Sequence, residues 1–382
     1  MKLINKTLKD MDKILLLITT LLFIFGLFNI VTASSRAAVI RYNTSLYSYF
    51  FKQLVSIIVG LVATIFILKI PTKKYGYFGA AFYIVVLFLL LYVLFFVAEQ
   101  QGSKNWIVIK GFGTIQPSEF AKPAMIIMVS FMFEKMFKNL RNPNINHYNS
   151  IAKILFIGGL YPAIIFLCKD LGTMIVITVI FGVLFITSPI LKQEKIRIIG
   201  TVIFVGILIL LFKGSSIFTP AQLSRFNFFD PCNDYYEGGY QICNGFIAIN
   251  EGGLFGSGIG ESKQVSYIPE SHTDSVFAII AEEYGLIICT LIFLAYLVVF
   301  FRIFKLSSRT STIKGKYICL GIGVYIFLHF LINLGGLFGI MPLTGVPLPF
   351  LSYGGSYTLS LMISLAIVQR IHIETEREKI RV

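Results

Sequence analysis

Three side chains able to accept or move protons stand within five residues of one another: Glu270, His272 and Asp274, in the run Ile268-Pro-Glu-Ser-His-Thr-Asp274. The run leads directly into an apolar stretch. A carboxylate at a border between water and lipid tends to hold its proton more tightly, which suits it to serve as a general base. Asp274 also stands where a helix N-cap belongs, and Thr273 could share that task. Capping alone does not call for Glu270 and His272 beside it. Glu282 and Glu283 lie two turns further in and extend polar character along the same helix.

A second charged group sits inside apolar sequence, where ionised side chains are costly. Glu119 and Lys122 are three residues apart and so share one face of the helix that opens at Gln116-Pro117-Ser118. Proline suits that first helical turn. Asp170 heads the stretch Asp170-Leu-Gly-Thr173 and is placed to share Lys122. These three read either as a structural ion pair that keeps helices in register or as the lining of a polar cavity. A third group is the segment Gly339-Ile-Met-Pro-Leu-Thr-Gly-Val-Pro-Leu-Pro-Phe-Leu-Ser-Tyr-Gly-Gly-Ser356. Its prolines and glycines forbid a straight helix. Irregular backbone at membrane depth survives only where it is buried in protein or lines a cavity.

The elements that must position these groups are membrane helices. Of the 382 residues, 56% are hydrophobic and only 14% charged, with a mean hydropathy of +0.80. Soluble domains carry about a quarter charged residues, so the solvent here is lipid. Apolar stretches of about the ~20 residues that cross a bilayer fall at 13–34, 49–69, 76–97, 118–134, 153–168, 171–188, 197–212, 275–301, 317–338 and 352–370. The first is too long for a cleavable signal. Lys169 and Asp170 interrupt the fifth and sixth and predict a tight outward turn between them.

The net charge of +14 invites a nucleic-acid partner, but the basic residues gather in alternate loops. With the N-terminus inside, the inner segments hold Lys2, Lys6, Lys9 and Lys13, then Lys69, Lys73 and Lys74, then Lys135, Lys138, Arg141 and Lys153. Further inner segments hold Lys192, Lys195 and Arg197, then Arg302, Lys305, Arg309, Lys314 and Lys316, and finally Arg370, Arg377, Lys379 and Arg381. The positive-inside rule then puts both termini in the cytoplasm, and anionic lipid headgroups account for the charge without nucleic acid. The expected architecture is one all-α polytopic domain over residues 1–382, with about ten spans, in the cytoplasmic membrane. Its long extracytoplasmic loop, 213–275, lies between the seventh and eighth spans and carries the candidate active site.

That loop is mostly acidic and holds a glycine run, Glu251-Gly-Gly-Leu-Phe-Gly-Ser-Gly-Ile-Gly260. Such a run offers flexible backbone able to approach a ligand, although no βαβ pattern surrounds it and a dinucleotide site is excluded. Cys232 and Cys243 are either a disulfide closing a short loop or two free thiols. Cys168, Cys289 and Cys319 fall in or beside apolar spans as packing residues. No Cys or His spacing suggests a zinc site, and no metal ligand set is expected.

Gly102-Ser-Lys-Asn-Trp106, Gln116-Pro-Ser-Glu-Phe-Ala-Lys122, Asp170-Leu-Gly-Thr173, Pro269-Glu-Ser-His-Thr-Asp274 and Pro342 through Ser356 resemble, in the same order, the motifs of the SEDS family (RodA, FtsW, SpoVE). The likeness covers nearly the whole chain. It implies a peptidoglycan glycosyltransferase that polymerises lipid II at the outer face of the membrane, serving elongation or division. The short N-terminal tail leans toward the RodA-like, elongation type. The resemblance makes Asp274 the catalytic residue and Glu119, Lys122 and Asp170 the polar core. Arg225, Lys104, Trp106, Glu270, His272, Ser352 and Ser356 are expected to bind substrate, and a class B penicillin-binding protein to be the partner. Its cofactor stays open; a divalent cation, Mg²⁺ or Mn²⁺, would suit the diphosphate.

Three positions depart from the family pattern: Asn105 replaces an Arg, Lys169 a Pro, and Ser275 a Phe. Lys104, beside the first, can meet phosphate only as a point charge. A lipid II flippase and a non-catalytic scaffold for a transpeptidase are the alternatives. Neither needs an outward-facing base at Asp274.

Overall fold

The structure, a computed structural model, describes residues 9–36, 38–39, 44–100, 102–109, 113–139, 147–202, 204, 228, 230–233 and 239–379. Arg225 and most of the expected seventh span, 197–212, lie outside the described residues; 192–202 is helical. The helices are α1 (Lys13–Ala33), α2 (Ser48–Lys69), α3 (Tyr75–Phe96), α4 (Pro117–Asn139), α5 (His147–Leu167), α6 (Leu171–Thr187), α7 (Tyr240–Gly252), α8 (Val276–Arg309), α9 (Ile313–Leu337) and α10 (Gly355–Lys379). A short hairpin, β1 (Ile107–Ile109) and β2 (Gly113–Ile115), pairs antiparallel before α4.

Among the described residues, seven helices are long and apolar enough to cross a membrane: α1, α2, α3, α5, α8, α9 and α10. Helices α4 and α6 also occupy expected span positions, but α4 carries charge in both end turns and α6 has only 17 residues. Phe51, Phe66, Phe88, Phe95 and Phe96 on α2 and α3 are each more than half exposed. Side chains of that kind in such numbers mark a lipid-facing wall. The opposite extreme is α9 and α10, whose apolar windows are 72% and 78% buried. Helix α10 packs on α2 and α4, while α9 packs on α8, α4 and α6. The Glu119–Lys122 pair and the proline-rich segment are tied to this buried centre.

The turn between α5 and α6 is as tight as the sequence predicts. Lys169 takes φ 62°, a value closed to proline, whose ring holds φ near −65°. Its ammonium reaches Glu99 Oε2 at 2.7 Å. A lysine can take this left-handed turn, where a proline could not.

Helix α8 is interrupted. Gly285 has φ 77° and ψ 173°, so the carbonyls of Glu282 and Glu283 lose their helical partners. The glycine run supplies them: Ser257 N donates to Glu282 O at 2.8 Å and Gly258 N to Glu283 O at 3.2 Å. In return, Leu286 N donates to Gly253 O at 2.9 Å and Ile287 N to Leu254 O at 3.3 Å. A Cβ on Gly256 would sit 2.2 Å from Glu283 O, so only glycine lets the two backbones meet. The close approach expected toward a ligand is thus made to the broken helix. Buried unpaired backbone groups are costly, and the run satisfies them.

The described part of the loop between the seventh and eighth expected spans carries regular structure. It contains the 13-residue helix α7, which packs along α8. Cys232 and Cys243 form a disulfide with Cα atoms 5.0 Å apart, tying the 230–233 segment to the first turn of α7. Cys168, Cys289 and Cys319 are buried free thiols.

Candidate active site

Asp274 lies just before α8 and is 9% exposed. It does not cap that helix: the N-cap position is Ser275, with no side-chain hydrogen bond. The carboxylate instead takes hydrogen bonds on Oδ1, from Gln241 Nε2 at 3.2 Å and Thr273 Oγ1 at 3.4 Å. Its Oδ2 faces Gly345, 3.9 Å from where a Cβ would stand. Burial, and then the negative charge of Glu270, push the Asp274 carboxyl up to about 6. A carboxylate with that affinity is matched to proton abstraction near neutral pH.

The proline-rich segment forms the floor beneath Asp274. It is irregular from 342 to 354, as its prolines require. Asn333 on α9 holds it in place, donating from Nδ2 to both Val346 O at 2.9 Å and Asp274 O at 2.7 Å. Ser352 fastens the other side: its hydroxyl donates to Thr273 O and accepts from Leu348 N at 2.8 Å. Tyr353 N donates to His272 O at 2.9 Å. Gly172 on α6 completes the floor, since a Cβ there would press on Thr344 O at 2.9 Å.

His272 and Glu270 flank the carboxylate differently. The His272 imidazole is 4% exposed and packs edge-on against Tyr49 at 4.6 Å and against Tyr353 at 5.6 Å. Glu270 is exposed and takes φ 52°, an uncommon backbone state for a non-glycine residue. The five-residue stretch from Glu270 to Asp274 thus turns sharply, with one carboxylate exposed and one buried.

The second polar group is built on α4, α9 and the same proline-rich segment. Lys122 Nζ lies 2.8 Å from both Glu119 carboxylate oxygens and 2.9 Å from His329 Nε2. Exposure is 1% for Lys122, 3% for Glu119 and 0% for His329. His329 Nδ1 is 3.2 Å from Pro347 O, which accepts only from a protonated Nδ1. His329 Nε2 is then the acceptor for the ammonium. The Tyr325 and Tyr357 rings stand 5.3 and 5.9 Å from the Lys122 ammonium, within cation–π range.

Asp170 is not a direct partner of Lys122. Its Oδ1 caps α6 through Thr173 N at 3.0 Å, and its Oδ2 meets Gln116 Nε2 at 3.4 Å. The backbone N of Gln116 in turn donates to Ser356 Oγ at 3.0 Å. A helix N-terminus offers a carboxylate several free amides, and Asp170 is used there. Glu282 and Glu283 are likewise structural. Glu282 accepts from Lys263 N at 2.7 Å and from the Ser262 hydroxyl, both beyond the glycine run. Glu283 accepts from Thr32 of α1 at 2.9 Å.

Among the residues expected to bind substrate, Ser352 and Ser356 have their hydroxyls in the internal bonds above. Lys104 sends its ammonium to Leu94 O at 3.1 Å, near the C-terminal end of α3, where a cation is favoured. Trp106 is 37% exposed at the foot of the hairpin. Three residues that sequence reasoning passed over complete the arrangement: Gln241, His329 and Asn333. The last two lie four apart on α9, a spacing that places them on one face. Among the described residues no three His, Cys, Asp or Glu side chains converge to hold a metal.

Residues 12–377 match the FtsW, RodA and SpoVE family of cell cycle proteins. A probable peptidoglycan glycosyltransferase FtsW from Hydrogenovibrio crunogenus is 34% identical, over 86% of this chain and 83% of its own. Stage V sporulation protein E of Bacillus subtilis is 32% identical, over 94% of this chain and 96% of its own. In fold, the chain is similar to one from a peptidoglycan synthase complex, with TM-score 0.72 and 21% identity, covering 96% of this chain and 98% of that one. Rod shape determining protein RodA of Thermus thermophilus superposes with TM-score 0.66 at 20% identity, covering 95% of this chain and 96% of its own. Motifs, fold and match along almost the full length agree, and the chain belongs to the FtsW/RodA/SpoVE family.

Proposed function

We propose that this chain is a peptidoglycan glycosyltransferase that polymerises lipid II at the outer face of the cytoplasmic membrane, with Asp274 as general base. The observation that carries the proposal is the Asp274 carboxylate: buried, held through one oxygen, and raised to about 6. A sugar hydroxyl is a poor nucleophile. Asp274 takes its proton as the oxygen attacks the anomeric carbon of the second substrate molecule, and the lipid diphosphate departs with the bonding electron pair. The anomeric centre is inverted by this single displacement. Diphosphate needs no proton to leave, only positive charge nearby, so one carboxylate suffices where most glycoside hydrolases use two.

The reading places ten spans in the membrane with both termini inside, and puts α7 and the Asp274 loop outside. Trp106, Glu270 and His272 border the sugars, and Arg225, Lys104 and Lys263 are the basic residues available to the diphosphate. The matches named above include cell cycle, sporulation and rod-shape determining proteins, so wall synthesis in elongation or division fits them alike. A class B penicillin-binding protein would crosslink the product. The Glu119–Lys122–His329 group is paired within itself and almost fully buried, which suits a structural fastening better than the translocation path of a flippase.

Asp274→Asn preserves size and removes the base. With labelled lipid II and the purified full chain, it is expected to lower turnover by about 10²–10⁴-fold, the range for loss of a general base. Near-wild-type glycan chains from a folded Asp274→Asn protein would refute the assignment.

A further inference from the structure

The surroundings of Asp274 Oδ1 contain a side chain that the reaction as written does not use. Gln241 stands in the first turn of α7, and its Nε2 reaches Asp274 Oδ1 at 3.2 Å, Ser275 Oγ at 2.7 Å and Pro269 O at 3.3 Å. One amide nitrogen therefore spans the start of the turn that leads to Asp274, the carboxylate itself and the first residue after it. Two residues further along α7, Cys243 is bonded to Cys232. Gly239, immediately before α7, is pressed against Pro231, with a Cβ position only 2.0 Å from Pro231 O. The first turn of α7 is thus fixed twice to the 231–232 segment, once by contact and once by a covalent bond.

We infer that Gln241 is a positioning residue for the Asp274 carboxylate, and that the Cys232–Cys243 disulfide holds Gln241 in reach of it. This rests on Asp274 being the base. By occupying Oδ1, Gln241 fixes the carboxylate plane and leaves Oδ2, on the Gly345 side, as the oxygen that receives the substrate proton. An amide donor also stabilises the ionised form and so opposes the effect of burial. Glu270 is the charged group acting on Asp274 among the described residues. Gln241 from α7 and Thr273 donate to the carboxylate, Gly345 of the proline-rich segment faces it, and Asn333 from α9 holds the Asp274 backbone carbonyl; none of these titrates. Loss of Gln241 should therefore show as a change in the pH dependence of catalysis.

The test uses the full-length protein in lipid nanodiscs with labelled lipid II, following initial polymerisation rates from pH 5 to 8. Gln241→Met keeps the length of the side chain and removes the donor. Turnover at neutral pH is expected to fall about ten-fold, with KM for lipid II unchanged, and the acid limb to move up by about one pH unit, the size of one hydrogen bond to an ionised group. Gln241→Asn, too short to bridge all three acceptors, should fall between Met and wild type.

Reducing the disulfide of the wild-type protein, with thiol content checked by mass, asks the same question without a substitution. It should shift the acid limb in the same direction by a smaller amount. A Gln241→Met protein that unfolds leaves this second arm to decide. An unmoved acid limb after full reduction overturns the role of the disulfide, and unchanged kcat with an unmoved limb in Gln241→Met overturns the role of Gln241. Asp274→Asn run alongside separates the two levels: activity there removes the base itself, whereas an inactive Asp274→Asn beside an unaffected Gln241→Met removes only this inference.

Discussion

Replacing Lys122 with methionine keeps most of the side chain and deletes its charge and its three donors. In the native protein those donors serve both oxygens of Glu119 at 2.8 Å and His329 Nε2 at 2.9 Å, in surroundings that leave Lys122 1% exposed. Without the ammonium, Glu119 becomes a buried carboxylate with no cation, a change that costs roughly 3–5 kcal/mol. His329 Nε2 loses its donor as well, worth about 1–3 kcal/mol when an acceptor is left buried and unsatisfied. Removing both charges is a different matter. Glu119→Leu with Lys122→Met leaves an apolar pair beneath Tyr325 and Tyr357, and apolar replacements of buried ion pairs are often neutral.

The assay is thermal unfolding of the full chain in nanodiscs for wild type, both single variants and the double variant, closed as a double-mutant cycle. Each single variant should be clearly less stable, and the double variant should regain most of the loss. Polymerisation should recover less than stability, because His329 also holds Pro347 O at the floor of the Asp274 site. A Lys122→Met protein within about 0.5 kcal/mol of wild type, the scatter of neutral surface substitutions, would refute a coupled buried pair. So would a double variant as unstable as the two singles added together.

Four further outcomes are expected. Wild-type polymerisation should rise with pH through an inflection near 6, because Asp274 holds its proton up to about 6 and only the ionised form accepts one; a flat rate from pH 5 to 7 would remove Asp274 as the titrating base. The same group makes folding less stable as pH rises from about 4 to 6, since the folded state binds the extra proton across that window, and thermal unfolding across that range checks it. Gly256→Ala places a Cβ 2.2 Å from Glu283 O at φ +83° and should cost about 1–3 kcal/mol or more; an unchanged melting temperature would show that the glycine run is not wedged into the α8 break. Lys104→Ala should lose about 0.3–1 kcal/mol of stability from the α3 end, and a drop in lipid II affinity beyond that change would place its ammonium on the diphosphate instead of Leu94 O.

The helix positions could be read from the sequence because lipid accepts only long apolar stretches with internally paired backbone. Nine of the ten expected spans coincide with α1–α6 and α8–α10. The irregular course of 342–354 was equally legible, since Pro347 and Pro349 cannot continue a helix. Glu119 and Lys122 could be paired from their spacing alone, as residues three apart on one helix. So could the interest of Asp274, a carboxylate entering an apolar helix beside Glu270 and His272.

What joined these pieces was not local. His329 meets Lys122 across 207 positions, and Gln241 meets Asp274 across 33; periodicity reports which face of a helix is apolar, not which helix will lie against it. Asp170 looked like a partner for Lys122, yet the nearer donors were the free amides at the start of its own helix. The glycine run looked free to meet a ligand until Gly285 broke α8 and left carbonyls that only close backbone could satisfy. Residue types and spacing decided which groups could do chemistry and that helices in lipid would carry them. Packing decided their partners, because in a water-excluding interior each buried charge, amide and carbonyl must find a neighbour that the fold, not the chain order, brings within reach.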